Sequence, residues 1–218
     1  MKLKKIVSLA LAGILAVSML TACGDKGSSS SEGETEVVAT GYSAMLAKEL
    51  KDTAAKSYVT FQDNAEDEAA LKKMLGGYPN KELIAGGQGA GLGYFIQKST
   101  LSAVKDLEDY AKLDGYVDSL TFDAKKEMLG TWKIGQLYIA DGTVDMNSVI
   151  KNVASKIGDS NLKTQLVEKG TDANQVISAK YSYVVSASVV NVKGTEDLQK
   201  NQSTTYVLVT ITRTGVAD

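Results

Sequence analysis

Two alternating runs in the last third of the chain constrain its fold more than any other feature. "NQVISAKYSYVVSASVVNV" and "TTYVLVTITRT" carry Val, Tyr, Thr and Ile at period two, the residue types and spacing that suit a pleated, half-buried strand. In the second run Val207, Val209 and Ile211 face one side, and Tyr206, Leu208, Thr210 and Thr212 face the other. The polar stretch "KGTEDLQKNQS" between the runs predicts a long-looped antiparallel hairpin. A chain that commits this much sequence to strands must cover their apolar faces with something.

The cover is expected from upstream, where the period becomes that of a helix. "GYSAMLAKELKDTAAKSY" sets Tyr42, Leu46, Leu50 and Ala54 on one stripe, as an amphipathic helix requires. "DNAEDEAALKKMLGG" opens on a capping-box pattern, Asp63 followed three residues later by Glu66, and closes at Gly76 and Gly77. Pro79, the only proline, follows and marks a turn. A third helix is predicted from Ser99 or Thr100, with Leu101, Val104, Leu107, Ala111 and Leu113 on its apolar face. "TFDAKKEML" reads as a short helix, "TWKIGQLYIADG" as a strand, "DMNSVIKNVASKIG" as a helix, and "SNLKTQLVEKG" as its continuation after a break. Helices followed by strands give an α+β fold, with N-terminal helices packed on a small antiparallel sheet that includes the C-terminal β-hairpin. No repeat or proline-rich linker divides residues 37–218, which read as a single globular domain.

Composition removes several chemistries. There is no histidine, and Cys23 is the only cysteine. Imidazole bases, thiol–imidazole pairs, intramolecular disulfides and multi-thiolate metal sites are therefore excluded. Of 24 basic residues only Arg213 is arginine, and the formal charge is −2. That argues against bidentate phosphate clamps and against nucleic acid as a partner.

Lys2, Lys4 and Lys5 precede a 15-residue apolar run, "IVSLALAGILAVSML". This is an export-signal layout, short of the ~20 residues of a membrane-spanning helix. It ends in Leu20-Thr21-Ala22-Cys23, which resembles the bacterial lipobox: Leu, a small residue, Gly or Ala, then Cys. The resemblance implies that the Cys23 thiol receives a diacylglyceryl group and that residues 1–22 are removed as a lipoprotein signal peptide. It also implies a lipid-anchored location on the extracytoplasmic face of the cell membrane. The lysine-heavy, histidine-free composition looks like that of low-GC Gram-positive bacteria.

Loss of residues 1–22 removes three lysines and no acid, leaving 21 basic against 26 acidic residues, a formal charge of −5. A body of that sign stands off an anionic bilayer. The Gly/Ser-rich, acidic segment "CGDKGSSSSEGETE" (23–36) reads as a flexible tether spanning about 20 Å.

The oddest stretch of the body is "LIAGGQGAGLGYFI", with Gly87, Gly89, Gly91 and Gly93 at alternate positions. No dinucleotide-binding or P-loop template can be laid on it. It reads as a close-packing run or a mobile loop, or else as a ligand loop in which bare backbone approaches a flat ligand or an anion. Ser-x-x-Lys, the nucleophile motif of the penicillin-recognising enzymes, occurs at Ser102/Lys105, Ser148/Lys151 and Ser160/Lys163 without its companion motifs, about as often as chance provides. The acidic stretches 63–68 and 141–147 do not match a calcium loop. A charged helix N-terminus and a turn followed by a helix cap account for them. Tyr181 and Tyr183 share one strand face with Val185 and Val189.

These readings converge on a membrane-anchored extracytoplasmic lipoprotein with a binding or interaction role. The partner would be a protein, an envelope polymer or a small solute. No catalytic residue, metal ligand or cofactor is assigned. The alternative is an extracytoplasmic hydrolase that uses carboxylates or a Ser/Lys pair.

Overall fold

The alternating runs form the two longest strands of the computed structural model, which describes residues 41–95, 103–117, 120–122, 128–171, 178–195 and 199–218. The leader, Cys23, the tether and Ser102 lie outside these residues, as do the first residues of the third helix and the middle of "TFDAKKEML". In chain order the first elements are α1 (Tyr42–Glu49), α2 (Lys51–Ala54), β1 (Val59–Phe61), α3 (Ala65–Gly76) and α4 (Asn80–Gly87). Then come β2 (Tyr94–Phe95), α5 (Ala103–Ala111), β3 (Gly115–Tyr116) and β4 (Gly130–Asp141). The chain ends with α6 (Met146–Ile157), α7 (Asp159–Gln165), β5 (Lys169–Thr171), β6 (Ser178–Lys193) and β7 (Ser203–Ala217).

The fold is α+β. Seven strands form one sheet in the order β1-β6-β7-β4-β2, with β5 also on β6 and β3 also on β4. β6 and β7 pair antiparallel from Ala179 opposite Ala217 to Lys193 opposite Ser203, and β7 pairs antiparallel with β4 along its other side. The sheet is not wholly antiparallel, as the sequence led us to expect: β1 runs parallel to β6 and β3 parallel to β4. Both are short, β1 spanning Val59–Phe61 and β3 Gly115–Tyr116.

Helices cover both faces of this sheet. Odd positions of β6 and β7 (Tyr183, Val185, Ala187, Val207, Val209 and Ile211) join Leu46 of α1, Val149, Ile150 and Val153 of α6 and Leu162 of α7 in one core. On the opposite face Leu137, Ile139, Tyr206 and Leu208 meet Leu71 and Met74 of α3, Leu83 of α4 and Leu107 of α5. The helices therefore divide between two layers, and α6 and α7 fall between strands in the chain instead of before them.

Capping differs from the sequence expectation. Asn64, not Asp63, caps α3, accepting from the N–H groups of Glu66 at 3.0 Å and Asp67 at 3.3 Å. Asp63 instead accepts from the Ser43 N–H at 3.0 Å, in the first turn of α1. The same Ser43 uses its hydroxyl to accept from Ala187 N–H of β6 at 2.9 Å. An acid that reads as a local cap thus joins two elements 20 residues apart, because β1 delivers it beside α1.

Candidate functional site

The glycine run is neither one strand nor one helix. Gly87 closes α4 against β7, and a Cβ there would lie 2.7 Å from Thr204 Cβ, with Thr204 Oγ1 closer still. Two side chains of β7 receive the helix: Thr204 Oγ1 donates to Ile84 O at 3.1 Å and Tyr206 Oη to Leu83 O at 2.8 Å. Gly87 is therefore a close-packing residue.

Gly89, Gly91 and Gly93 have positive φ of 75°, 55° and 129°. This is the region that residues with a Cβ avoid. They take the chain across the end of the sheet. Gly91 O accepts from Asp141 N–H at 3.0 Å, Gly93 O accepts from Asn152 Nδ2 of α6 at 3.1 Å, and Tyr94 Oη donates back to Gly86 O at 2.9 Å. The run is tied down at both helical layers, with Leu92 exposed at its tip. Burial pushes the Tyr94 hydroxyl above its ordinary pKa, and burial together with Tyr94 raises Tyr206 further. Both stay neutral donors.

The acids singled out in the sequence serve turns and caps. Asp141 accepts from the hydroxyl of Thr143 at 2.6 Å and its N–H at 2.9 Å, and these bonds, the hydroxyl first, hold its carboxyl below the usual range. Asp145 caps α6 through Ser148 N–H at 3.0 Å, and hydrogen bonding to Ser148, its hydroxyl first and then its N–H, lowers the Asp145 pKa likewise. Ser148 and Lys151 lie along α6, with Lys151 exposed. Ser160 is exposed on α7, and Lys163 is paired with Asp52 at 3.0 Å. Among the described residues no group of three or more Asp, Glu, His or Cys is placed to hold a metal ion.

Two buried groups went unread in the sequence. Asp67, fully buried in the first turn of α3, pairs with Lys133 of β4 and accepts from Thr210 Oγ1 of β7 at 2.6 Å. Lys133 also donates to Ala111 O at the end of α5, at 2.9 Å. One ion pair thus joins α3, α5, β4 and β7. Its trace in the sequence is an acid on an apolar stripe: Asp67, Ala70, Leu71 and Met74 stand at i, i+3, i+4 and i+7.

The second group surrounds Arg213 on β7, 2% exposed, with its guanidinium 4.9 Å from the Phe122 ring and 4.8 Å from Tyr181. Tyr181 and Tyr183 are buried beside it, their ring centroids 6.4 Å apart. Burial pushes the Tyr183 hydroxyl up to about 12 even though Arg213 acts in the opposite direction. A planar, weakly hydrated cation stacks between rings where an ammonium would be costly to dehydrate.

Between α3 and α5 a groove of about 280 Å3 is lined by Glu66, Ala69, Ala70, Lys73, Tyr110 and Lys112. The Lys73 ammonium sits 4.0 Å over the Tyr110 ring. Glu66 near the start of α3 and Lys112 just past the end of α5 carry the signs that helix ends favour. The groove and the glycine crossing lie at different parts of the sheet. Gly93 meets α6 at Asn152, on the helix that carries Ser148 and Lys151, whereas Ser160 and Lys163 lie on α7 and Ser102 lies outside the described residues.

Comparison of the chain with protein-family models, with curated proteins and with solved structures returns no match in any of the three. Among the described residues no helix is long and apolar enough to cross a membrane.

Proposed function

We propose that the chain is a lipoprotein, anchored through Cys23 on the extracytoplasmic face of the cell membrane, whose body binds a ligand or an envelope partner. The observation that carries this reading is Leu20-Thr21-Ala22-Cys23 at the end of a 15-residue apolar run behind three lysines. The position needs a sulfur nucleophile, and Cys23 is the only one in the chain. Two acyl chains hold a protein on a bilayer where a single chain is marginal. Residues 23–36 then serve as the tether between the bilayer and one folded body. A binding role, in preference to catalysis, is supported by the use of Asp67, Asp141, Asp145 and Lys163 in fold contacts.

The test is metabolic labelling with a fatty acid, followed by fractionation. The parent chain is expected to carry label and pellet with membranes, and Cys23→Ala is expected to lose the label and leave the membrane fraction. Label retained in Cys23→Ala would end the anchor reading.

A further inference from the structure

Along β6 the backbone groups of even residues point to β7: Ser178 O accepts from Asp218 N–H and Gly194 N–H donates to Gln202 O, each at 3.0 Å. Those of odd residues point to the other edge. There Tyr181 N–H donates to Glu168 O, Tyr183 N–H donates to Tyr58 O, and Val185 O accepts from Gln62 N–H. Ala187 N–H donates to Ser43 Oγ at 2.9 Å, and at the far end Lys193 O accepts from Asn80 Nδ2 at 2.9 Å. Between these two contacts lie Ala187 O, the N–H and O of Val189 and Asn191, and Lys193 N–H. Among the described residues they meet no hydrogen-bond partner. Val189 is nonetheless buried, at 9% exposed. A row of bare backbone groups along a β-branched strand is a template for one more strand.

We propose that residues 37–40, Val-Val-Ala-Thr, supply that strand, antiparallel to β6 across Val189 and Asn191. The chain enters the described body at the right place. Ser43, bonded to Ala187, follows two residues after Gly41, and Gly41 packs on Asp63, where a Cβ would lie 2.7 Å from Oδ2. From Ala187, α1 and α2 carry the chain back to Val59 beside Tyr183. The approach to Gly41 from the opposite side therefore runs along Lys193 to Val189. Gly41 has a φ of +90°, which ends α1 there and lets an extended segment turn into the helix.

Length and residue types agree. Four extended residues cover about 13 Å of the roughly 20 Å between Ala187 and Lys193. Successive side chains of a strand point to opposite faces, so in any register Val37 and Val38 put one valine on each face of the sheet. One joins the half-buried Val190 and Val192 on the face of α3 and α4, and the other joins Val189 on the face of α1 and α6. Before Val37 the chain is mostly Gly, Ser and Glu, which are depleted in strands, and this sets the limit of the added strand. Paired in this way the edge is sealed against strands of other chains. The inference does not depend on acylation at Cys23, because residues 37–40 precede the same body with or without it.

The test is amide hydrogen exchange, read by NMR on residues 23–218 carrying Cys23→Ala. The amides of Val189 and Asn191 are expected to exchange at least about tenfold more slowly than in a variant that adds Val38→Pro and Ala39→Pro, while those of Ser188 and Val190, which face β7, stay slow in both. Alternate residues of a strand donate to its neighbour, so one of two adjacent prolines removes a ladder N–H in any register. Nuclear Overhauser contacts between backbone protons of residues 37–40 and 188–192 are expected in the parent. Fast exchange at Val189 and Asn191 in the parent overturns the proposal, as does slow exchange that survives both prolines. Protection that appears only as protein concentration rises assigns the edge to a second copy and overturns it as well. If the prolines unfold the chain, so that Ser188 and Val190 accelerate too, the Overhauser contacts of the parent decide: their presence upholds the strand and their absence rejects it.

Discussion

The carboxylate of Asp159 accepts from Thr53 twice, from its N–H at 2.9 Å and its hydroxyl at 2.7 Å. It also accepts from Asp52 N–H at 2.8 Å. An acid of α7 therefore caps α2 across more than 100 residues, doing the work an N-cap side chain does locally. Burial alone would raise its pKa, but the bonds from Thr53 and Asp52, helped by Lys163, hold it below the ordinary value.

A carboxylate with a lowered pKa in the folded state stabilises the fold above its unfolded value, ~3.9, and this contribution fades as pH falls through the folded value. Asp159→Asn is expected to lower stability at pH 7 by about 1 kcal/mol. Urea unfolding at several pH values should show this deficit shrinking below about pH 4. A deficit that stays constant down to pH 3 would show that the charge of Asp159 contributes nothing.

The Asp67–Lys133 pair sets a second expectation. Removing one partner leaves an uncompensated charge under α3, so Asp67→Asn or Lys133→Met should each cost about 3–5 kcal/mol. The double variant should cost clearly less than the sum of the two. Additive losses in a denaturation cycle would mean that the two groups act independently.

The glycines separate by mechanism. Gly87→Ala drives a methyl group into Thr204 and should cost about 3 kcal/mol as overpacking. Gly91→Ala meets nothing within 4 Å but keeps a positive φ, a strain of about 1 kcal/mol. Similar melting temperatures for the two variants would contradict the close seating of α4 on β7.

Arg213→Lys keeps the charge but loses the flat stack between Phe122 and Tyr181. It should cost about 2 kcal/mol. A variant as stable as the parent would show that any cation serves at that position.

Much of the sheet was legible because alternation is a strong signal: the runs within Ser178–Lys193 and Ser203–Ala217 are the observed β6 and β7. What alternation did not reveal is that both faces of β7 are buried. Thr204 and Thr210 are each buried with a partner supplied by a helix far away in the chain, at Ile84 O and Asp67. The glycine run gave competing templates because its first half is helix and its second half is turn. Asp63 matched a local capping pattern, and only the placement of β1 could send it to α1. The single arginine entered the sequence argument as a scarcity, because no periodicity shows which rings will enclose a side chain.

The place of β7 in the sheet has a consequence for how the molecule is assembled. Its neighbours β6 and β4 pair with it and not with each other, so the last strand in the chain joins two otherwise separate halves. Without Ser203–Ala217, β6 with β1 and β5, and β4 with β2 and β3, are two separate sets of strands. The two halves can join into one sheet only once Ser203–Ala217 is available to pair with both.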